Sequence, residues 1–515
     1  MIAGSFVSFS SGSVISSMFR RITALAVCAS IALTPMSAVY AQGVGQYNLP
    51  SLGTVAGADL TVLDERALGE QLMRRVRADP TYMSDPETTA YLNRLGYRLV
   101  AAGESSPYDF FFFPIRDKSL NAFALPGGFI AVHSGLIVAA QSESELAGVI
   151  GHEIGHVTQR HIARMLEQGQ NSWAMTLGSI LLALLAARAG GSSGGDAAMG
   201  IMLGTQAAMI QKQLGYSRDA EREADRVGLE SLTKAGFDPH GMEDFFERLQ
   251  QNNRWYESAS LAYISTHPMT SERMSDMQNR TRTLPSVQHR DSIDFFLIQA
   301  RMRVLQETRF DGWQQVAKSF ENDLKTNLTQ AQRAAANYGL SLAYARMNQT
   351  AKALPYAREV KKLVGADNVI VDKNLSELTF SVAKTDAQKN QAVGLAQDIV
   401  KKYPYSALAV TNCAELLYQA GRHQEVVKLM RNQTALSKSD PDYYAYLARS
   451  YEALGQKSLA FASTGDMYAL MNNPEAAVYQ FDLAQKANDA DFYVMSEIDA
   501  KLREQRRLVL DKKKD

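Results

Sequence analysis

The segment His-Glu-Ile-Gly-His, from His152 to His156, restricts the possible folds of this chain more than any other stretch. On a helix, residues four positions apart lie one turn apart and share a face. The two imidazoles could then bind one metal ion, and Glu153 beside them could act as a general base on water. The segment therefore predicts a helix that carries a metal site.

The residues around this segment favour a helix. Ser142 and Glu145 have the spacing of a capping box, in which each side chain accepts a hydrogen bond from a backbone N–H group at the start of a helix. His161 follows on the same predicted helix, but its separation of five residues from His156 rotates it off the metal face. Apolar residues recur at helical spacing: Leu146, Val149, Ile150, Ile154 and Val157.

Two histidines leave a catalytic zinc site incomplete, because such a site has three protein ligands and one position for water. The polar segment 217–235 predicts a helix in which Glu221 and Asp225 share a face, whereas Glu223 points about 200° away from Glu221. We expect Glu221 to be the third ligand and Asp225 to accept a hydrogen bond from a ligand histidine. A solvated charged helix is the alternative interpretation of this segment.

The stretch before the metal helix has the character of strands. Four consecutive phenylalanines, Phe110 to Phe113, predict a buried strand. Residues 121–133 predict two short strands with Gly127 and Gly128 in the turn between them. This hairpin either pairs with extended substrate through backbone hydrogen bonds or only supports the metal helix.

The N-terminal segment 1–41 is typical of a signal peptide. Arg20 and Arg21 precede a short apolar run, and small residues around Ala41 offer a cleavage site. Cys28 leaves with this segment, so Cys413 has no partner for an internal disulfide, and an exported chain without disulfides favours a bacterial periplasm. The formal net charge of +0 gives no basic bias toward nucleic acid.

The length of 515 residues predicts two or three domains. Residues 42–60 have the composition of an extended leader, and the metal site belongs to a predicted domain at 61–300. Two apolar stretches within 173–209 are each too short to span a bilayer. They form either a buried helix pair, a mobile lid, or a surface-seeking hairpin that touches a membrane or an unfolded client.

Residues 301–515 contain a degenerate repeat. Related segments end at Asn348, Gly421 and Gly455, which are 73 and 34 residues apart, and prolines recur at intervals of 37 and 33 residues. A period near 34 residues predicts tetratricopeptide repeats, in which helix pairs stack into a curved surface that binds protein. A generic helical domain is the alternative.

Separate motifs occur in the order found in the M48 family of gluzincin metallopeptidases, which this chain resembles. In chain order they are Asn121-Ala-Phe, His152-Glu-x-x-His156, Glu221-Arg-Glu-Ala-Asp225 and His267-Pro-Met-Thr-Ser-Glu-Arg273. The resemblance implies a mainly α fold: a zincin-like domain with helices and a small β-sheet, followed here by an α-solenoid of repeats. It also implies one zinc ion per chain, bound by His152, His156 and Glu221.

The resemblance further implies roles for the remaining motif residues. Asn121 would line the substrate cleft beside the hairpin glycines Gly127 and Gly128, and His267 or Arg273 would stabilise the oxyanion while Glu153 acts as general base. Alternatively, His267 is a fourth zinc ligand that keeps the enzyme latent. A third possibility is a chaperone or scaffold with a structural zinc.

The combination of an export signal, this kind of domain without membrane helices, and repeats resembles periplasmic members of the family. That likeness implies a chaperone and quality-control protease for outer-membrane β-barrel proteins in a Gram-negative bacterium. It also implies contact between the repeats and the barrel assembly machinery, with no nucleic-acid partner. Contact with a membrane surface through 173–209 stays open.

Overall fold

The structure is a computed structural model that describes residues 60–168, 218–252, 263 and 266–511. The predicted signal peptide, almost all of the predicted leader and the apolar pair within 173–209 lie outside these residues. The described chain is mainly helical with one small sheet, which confirms the expected fold class. None of the described helices combines the length and the apolar character needed to cross a bilayer.

The helices and strands up to residue 281 carry the motifs. The first two helices begin at a capping box formed by Thr61 and Asp64 and at Pro86, the first residue of its helix. In chain order the elements are α1 (Val62–Ala78), α2 (Pro86–Ala102), β1 (Phe111–Ile115), β2 (Ala122–Leu125), β3 (Phe129–His133), α3 (Ser134–Ala139), α4 (Glu143–Thr158), α5 (His161–Gln168), α6 (Arg218–Lys234), α7 (His240–Asn252) and α8 (Ser271–Thr281).

The three strands form a sheet in the order β1-β3-β2. Strand β3 pairs in parallel with β1 and antiparallel with β2, so β2 is an edge strand in the described part of the sheet. The predicted hairpin is confirmed, and Gly127 and Gly128 in its turn have φ values of 77° and 89°, a region that favours glycine.

The start of α4 corrects one prediction. The Ser142 hydroxyl accepts a hydrogen bond from the Glu145 N–H at 3.2 Å, as a capping box requires. The reciprocal bond is absent: the Glu145 carboxylate instead accepts from the Gln141 N–H at 2.7 Å and pairs with Arg248. The arginine supplies the buried carboxylate with a countercharge that the local sequence does not indicate.

The end of α4 differs from the prediction that His161 lies on the same helix as the metal motif. The helix stops at Thr158, Arg160 adopts a positive φ of 55°, and His161 begins the separate helix α5. The prediction that His161 continues the metal helix is therefore wrong. Arg160 is held in this conformation by Glu65 of α1, whose carboxylate accepts from its Nε at 2.9 Å.

From Ile293 onward the chain forms a succession of helices, most of which pack against the next helix along the chain. Left-handed residues follow several of these helices, and Gly421, Gly455 and Asn488 are 34 and 33 residues apart, close to the predicted repeat length. The helices are α9 (Ile293–Leu305), α10 (Phe310–Asp323), α11 (Gln330–Arg346), α12 (Thr350–Val364), α13 (Val369–Ser381), α14 (Asp386–Lys402), α15 (Ala407–Gln419), α16 (His423–Arg431), α17 (Leu436–Ser439), α18 (Pro441–Ala453), α19 (Lys457–Leu470), α20 (Pro474–Ala487) and α21 (Phe492–Asp511).

A buried group of charges joins α2 to these helices, and we call it the junction cluster. The Arg301 guanidinium on α9 donates to Asp85 at 2.6 Å and to Glu87 at 2.9 Å. Lys373 on α13 donates to Glu87 at 2.7 Å, and Tyr338 on α11 lies 2.9 Å from Arg301 Nη1. The predicted boundary at residue 300 falls inside α9, so the division into domains stays a prediction.

Candidate active site

Helices α4 and α6 cross so closely that only glycine fits where their backbones approach each other. A Cβ atom on Gly155 would lie 2.9 Å from the Ala224 carbonyl oxygen, and one on Gly228 would lie 2.8 Å from the His152 backbone nitrogen. These distances are too short for any larger residue, so the glycines permit the crossing. The crossing brings Glu221 of α6 to the two histidines of α4.

Four side chains converge beside this crossing: His152, His156, Glu221 and His267, all of them buried. His152 Nε2 lies 3.0 Å from His156 Nε2 and 3.3 Å from His267 Nδ1. Glu221 Oε1 lies 3.4 Å from His156 Nε2 and 3.1 Å from His267 Nδ1. Zinc–nitrogen bonds of about 2.0–2.1 Å imply ligand separations of roughly 3.3 Å in a tetrahedron, so the spacing suits a zinc ion.

The second ring nitrogen of His152 is oriented by α6. His152 Nδ1 lies 2.8 Å from Asp225 Oδ1, the contact expected from the sequence. The Arg273 guanidinium donates hydrogen bonds to both carboxylate oxygens of Asp225 at 2.7 Å, and its Nη1 lies 2.6 Å from Glu221 Oε2. The Arg273 guanidinium also donates to the Pro268 carbonyl at 3.0 Å, so its donors face these carboxylates and this carbonyl. Arg273 is thus brought to the site, and it fixes two acids there.

The second ring nitrogen of His156 has a different partner. His156 Nδ1 lies 2.9 Å from His161 Nδ1, and His161 Nε2 lies 3.0 Å from Glu223 Oε2. Sequence reasoning missed both residues, because it placed His161 on α4 and Glu223 away from the site. The break at Arg160 returns His161 toward His156, and the long Glu223 side chain reaches it from α6.

Glu153 is fully buried beside the cluster. Neither of its carboxylate oxygens receives a well-aligned hydrogen bond from the described residues, and His267 Nε2 lies 3.4 Å from Oε1. Burial raises the pKa of Glu153, while His267, His152 and the backbone N–H of Ala124 oppose that rise. A carboxyl group with a raised pKa suits a general base that later returns its proton. Ala124 belongs to β2, so the edge strand lies against Glu153.

The histidines have opposite electrostatic surroundings. Burial lowers the pKa of His156 well below its ordinary value. Burial also acts to lower the pKa of His152, but hydrogen bonds to Asp225 and Glu221 outweigh it and raise that pKa to about 9. Burial acts to raise the pKa of Glu221, yet His267 and the other histidines hold it well below the ordinary value. Glu221 is therefore ionised, as a metal ligand must be.

The remaining candidates lie at different distances from this chemistry. Asn121 directly precedes β2 and is buried, and its Oδ1 has no hydrogen-bond partner among the described residues. Gly127 packs against the backbone of Arg66 and Gly128 against that of Asp109, which explains both glycines without any substrate.

Tyr263 is a site residue that sequence reasoning did not single out. Its ring stacks on His267 with centroids 4.7 Å apart, and its carbonyl accepts from the His267 N–H at 2.7 Å. The sequence contains a signal for this contact, because Tyr263 precedes His267 by four residues, which is one helical turn.

Comparisons with known proteins agree with this site. Residues 86–281 match the model of peptidase family M48. The chain is 31% identical over 463 residues to a putative beta-barrel assembly-enhancing protease of Vibrio cholerae, covering 88% of this chain and 91% of that one. It is also 31% identical over 434 residues to the beta-barrel assembly-enhancing protease of Escherichia coli K12, covering 84% and 85% respectively. The chain belongs to peptidase family M48.

This M48 protein is accordingly a metallopeptidase, and its resemblance to that family is confirmed. Among solved structures, a tetratricopeptide repeat protein from Parabacteroides merdae covers 51% of this chain and is itself covered to 98%, at 13% identity. The TM-score of that match is 0.27, so no functional argument rests on it.

The charges at the M48 site fit a divalent cation. Glu153, Glu221 and Asp225 supply three carboxylates to the site, and Arg273, which contacts Glu221 and Asp225, supplies the one guanidinium found there among the described residues. Metal binding requires neutral imidazoles, and with these the three carboxylates and the guanidinium have a formal charge of −2, a buried charge that requires compensation. Without the metal, Asp225 and Glu221 raise the pKa of His152, so a proton on that ring supplies part of the compensation. A divalent metal ion would neutralise the charge of −2, and the nitrogen-rich ligand set favours zinc.

Proposed function

We propose that this protein is a periplasmic zinc endopeptidase and chaperone for outer-membrane barrel proteins, with His152, His156 and Glu221 as zinc ligands. The convergence of these three buried side chains at tetrahedral spacing carries the proposal. A zinc ion bound there would lower the pKa of water and polarise the scissile carbonyl. Asp225 and Arg273 keep the first and third ligands in place.

Glu153 accepts the proton from the attacking water and passes it to the amine that leaves. Its burial supports this role, because a carboxylate that lacks aligned donors is a stronger base than one in water. No serine or cysteine nucleophile is needed, and Cys413 is buried within the repeat helices.

Strand β2 offers its edge to the substrate. It pairs with β3 on one side only among the described residues, and Ala124 lies beside Glu153. An extended peptide added to this edge would place its backbone next to the general base, with little dependence on side chains. Asn121, buried immediately before β2, lies at one end of that edge.

His267 acts as a latch, that is, as a fourth zinc ligand that keeps the enzyme latent. Its Nδ1 faces Glu221 and His152 among the ligand atoms, in the position that a catalytic zinc site reserves for water. The Tyr263 ring stacked against it supports the closed arrangement. A His267→Ala variant should cleave casein faster than the wild type, whereas slower cleavage would instead assign His267 to oxyanion stabilisation.

The decisive experiment combines metal analysis with casein cleavage, using a Glu153→Gln variant in the His267→Ala background. Glutamine has the size of glutamate but cannot accept the proton, so cleavage should fall while zinc content stays unchanged. Glu230→Ala, an exposed substitution on α6, is the control and should change neither quantity. If handling of client proteins survives Glu153→Gln entirely, the protein acts mainly as a chaperone or scaffold.

The cellular role rests on the relatives and on the predicted export signal. Relatives that match nearly the full length are named beta-barrel assembly-enhancing proteases, and residues 1–41 have the features of a cleaved signal peptide. We assign the repeat helices to contact with the barrel assembly machinery. Cell fractionation should find the protein in the periplasm, and cross-linking from the repeats should capture that machinery, whereas a cytoplasmic location would contradict the assignment.

A further inference from the structure

The two histidines of the metal motif are oriented by different devices. His152 has a carboxylate directly at its second ring nitrogen, at 2.8 Å. His156 has another imidazole there, that of His161, at 2.9 Å. The carboxylate comes one step later, because Glu223 lies 3.0 Å from the far nitrogen of His161.

The two hydrogen bonds that link His156, His161 and Glu223 run in one direction, with each residue donating to the next. His156 directs Nε2 at the other ligand atoms, so its ring proton is on Nδ1. His161 Nδ1 must then accept that proton in a hydrogen bond, and the His161 proton is on Nε2, where it donates to Glu223.

The far end of the device is anchored. Arg164 donates to the same Glu223 oxygen at 3.2 Å. His161 itself is buried, whereas the Glu223 side chain is about one-third exposed at 34%. A charged acceptor near the surface thus fixes a buried imidazole, which in turn fixes His156.

We propose that His161 and Glu223 are positioning residues that hold the His156 ring with Nε2 toward the metal. The inference rests on the proposed zinc function and adds two residues to it. Helix α6 then supplies three acids with separate tasks: Glu221 binds the metal, Asp225 orients His152, and Glu223 orients His156 through His161. Orientation of a ligand histidine by such a partner typically changes metal affinity by about 10- to 100-fold.

The test measures the zinc dissociation constant by chelator competition in the full-length protein. His161→Leu removes the acceptor while keeping a side chain of similar bulk, and should weaken zinc binding by about 10- to 100-fold. His161→Asn keeps an oxygen acceptor near the position of Nδ1, and should bind zinc more tightly than His161→Leu. A packing role predicts the opposite order, because leucine fills a buried position better than asparagine does.

Two further variants keep the inference falsifiable if His161→Leu does not fold. Glu223→Ala should weaken zinc binding by about 10-fold, the lower end of that range, because it acts through His161. Glu230→Ala, on the same helix but paired with Lys234, should bind zinc as the wild type does. Equal affinities for the Glu223→Ala and Glu230→Ala variants would overturn the inference. An absence of zinc from the wild type would instead overturn the proposed function.

Discussion

The active site and the junction cluster are both buried groups of charges in which one arginine bridges two carboxylates. At the junction, Arg301 holds Asp85 and Glu87, and Lys373 completes the pairing. The two buried acids thus face two bases, and the buried part of the group is neutral. The partly exposed Glu377 on α13 also pairs with Lys373, at 2.7 Å.

At the active site, Arg273 holds Glu221 and Asp225, but no lysine or second arginine faces them among the described residues. Imidazoles take that place, and Glu153 adds a third carboxylate. The arginine bridge is therefore part of a buried neutral group in one region, whereas in the other it leaves a formal charge of −2 when the imidazoles are neutral, as metal binding requires. The difference separates a group that joins helices from one built to hold a divalent ion.

The largest expected difference concerns chemistry. In the His267→Ala background, changing Glu153 to Gln should lower kcat/KM for casein by about 10²- to 10⁴-fold, the usual contribution of a general base. Changing Glu87 to Gln at the junction should leave kcat/KM of the folded protein unchanged, because its ion-pair partners in the described part of the chain are Arg301 and Lys373. A similar loss of activity in both variants would erase the distinction between the clusters.

The two arginines provide the second comparison. Arg301→Met leaves Asp85 and Glu87 buried with too little positive charge, and should cost about 3–5 kcal/mol of unfolding free energy with or without zinc. Arg273→Met should cost a similar amount without metal but less with zinc, since the ion still faces Glu221. Urea unfolding with and without a chelator measures both. Equal losses for Arg273→Met in the two conditions would contradict the account.

Removal of the metal should act on one cluster alone. A chelator should lower the unfolding free energy of the wild type by about 4 kcal/mol when free zinc had been near 1,000 times its dissociation constant. Arg301→Met should show the same decrement, because distant independent sites contribute additively. A decrement that disappears in Arg301→Met would show that the clusters are coupled.

The smallest expected effect is a pH dependence at the junction. Burial acts to raise the pKa of Asp85, but Arg301 outweighs it and holds that pKa below the ordinary value near 3.8. The folded state thus favours the ionised form, so this stabilisation is present above about pH 4 and is lost as pH falls through the lowered pKa. Every tenfold difference in proton affinity between the folded and unfolded chains contributes about 1.4 kcal/mol.

An Asp85→Asn variant should therefore lose less unfolding free energy than the wild type on acidification below about pH 4. Urea titrations at successive pH values measure this slope. Identical slopes would mean that Asp85 has the same pKa in the folded and unfolded chains.

Local patterns were enough to predict the parts of the site that lie on single helices. The spacing of His152 and His156, and of Glu221 and Asp225, gives their shared faces, and the structure agrees. The hairpin and the repeat period are likewise local, because glycine and asparagine mark the turns.

The features that the sequence did not predict depend on contacts between residues that are far apart in the chain. The end of α4 depends on Arg160, which is held by Glu65, 95 residues earlier in the chain. Without that contact His161 is counted as part of α4, and its bond with His156 is invisible. Arg273 was expected near the metal, but its bridge from Asp225 to Glu221 depends on how α8 packs against α6.

Metal analysis of the purified wild type, beside His152→Ala and Glu221→Gln variants, tests the central claim most directly. We predict about one zinc ion per wild-type chain and a marked loss of zinc in each variant, because a catalytic site has three protein ligands. A folded wild type that binds no zinc would contradict the assignment of His152, His156 and Glu221. Unchanged zinc content in both variants would contradict it equally, since the ion would then be bound elsewhere.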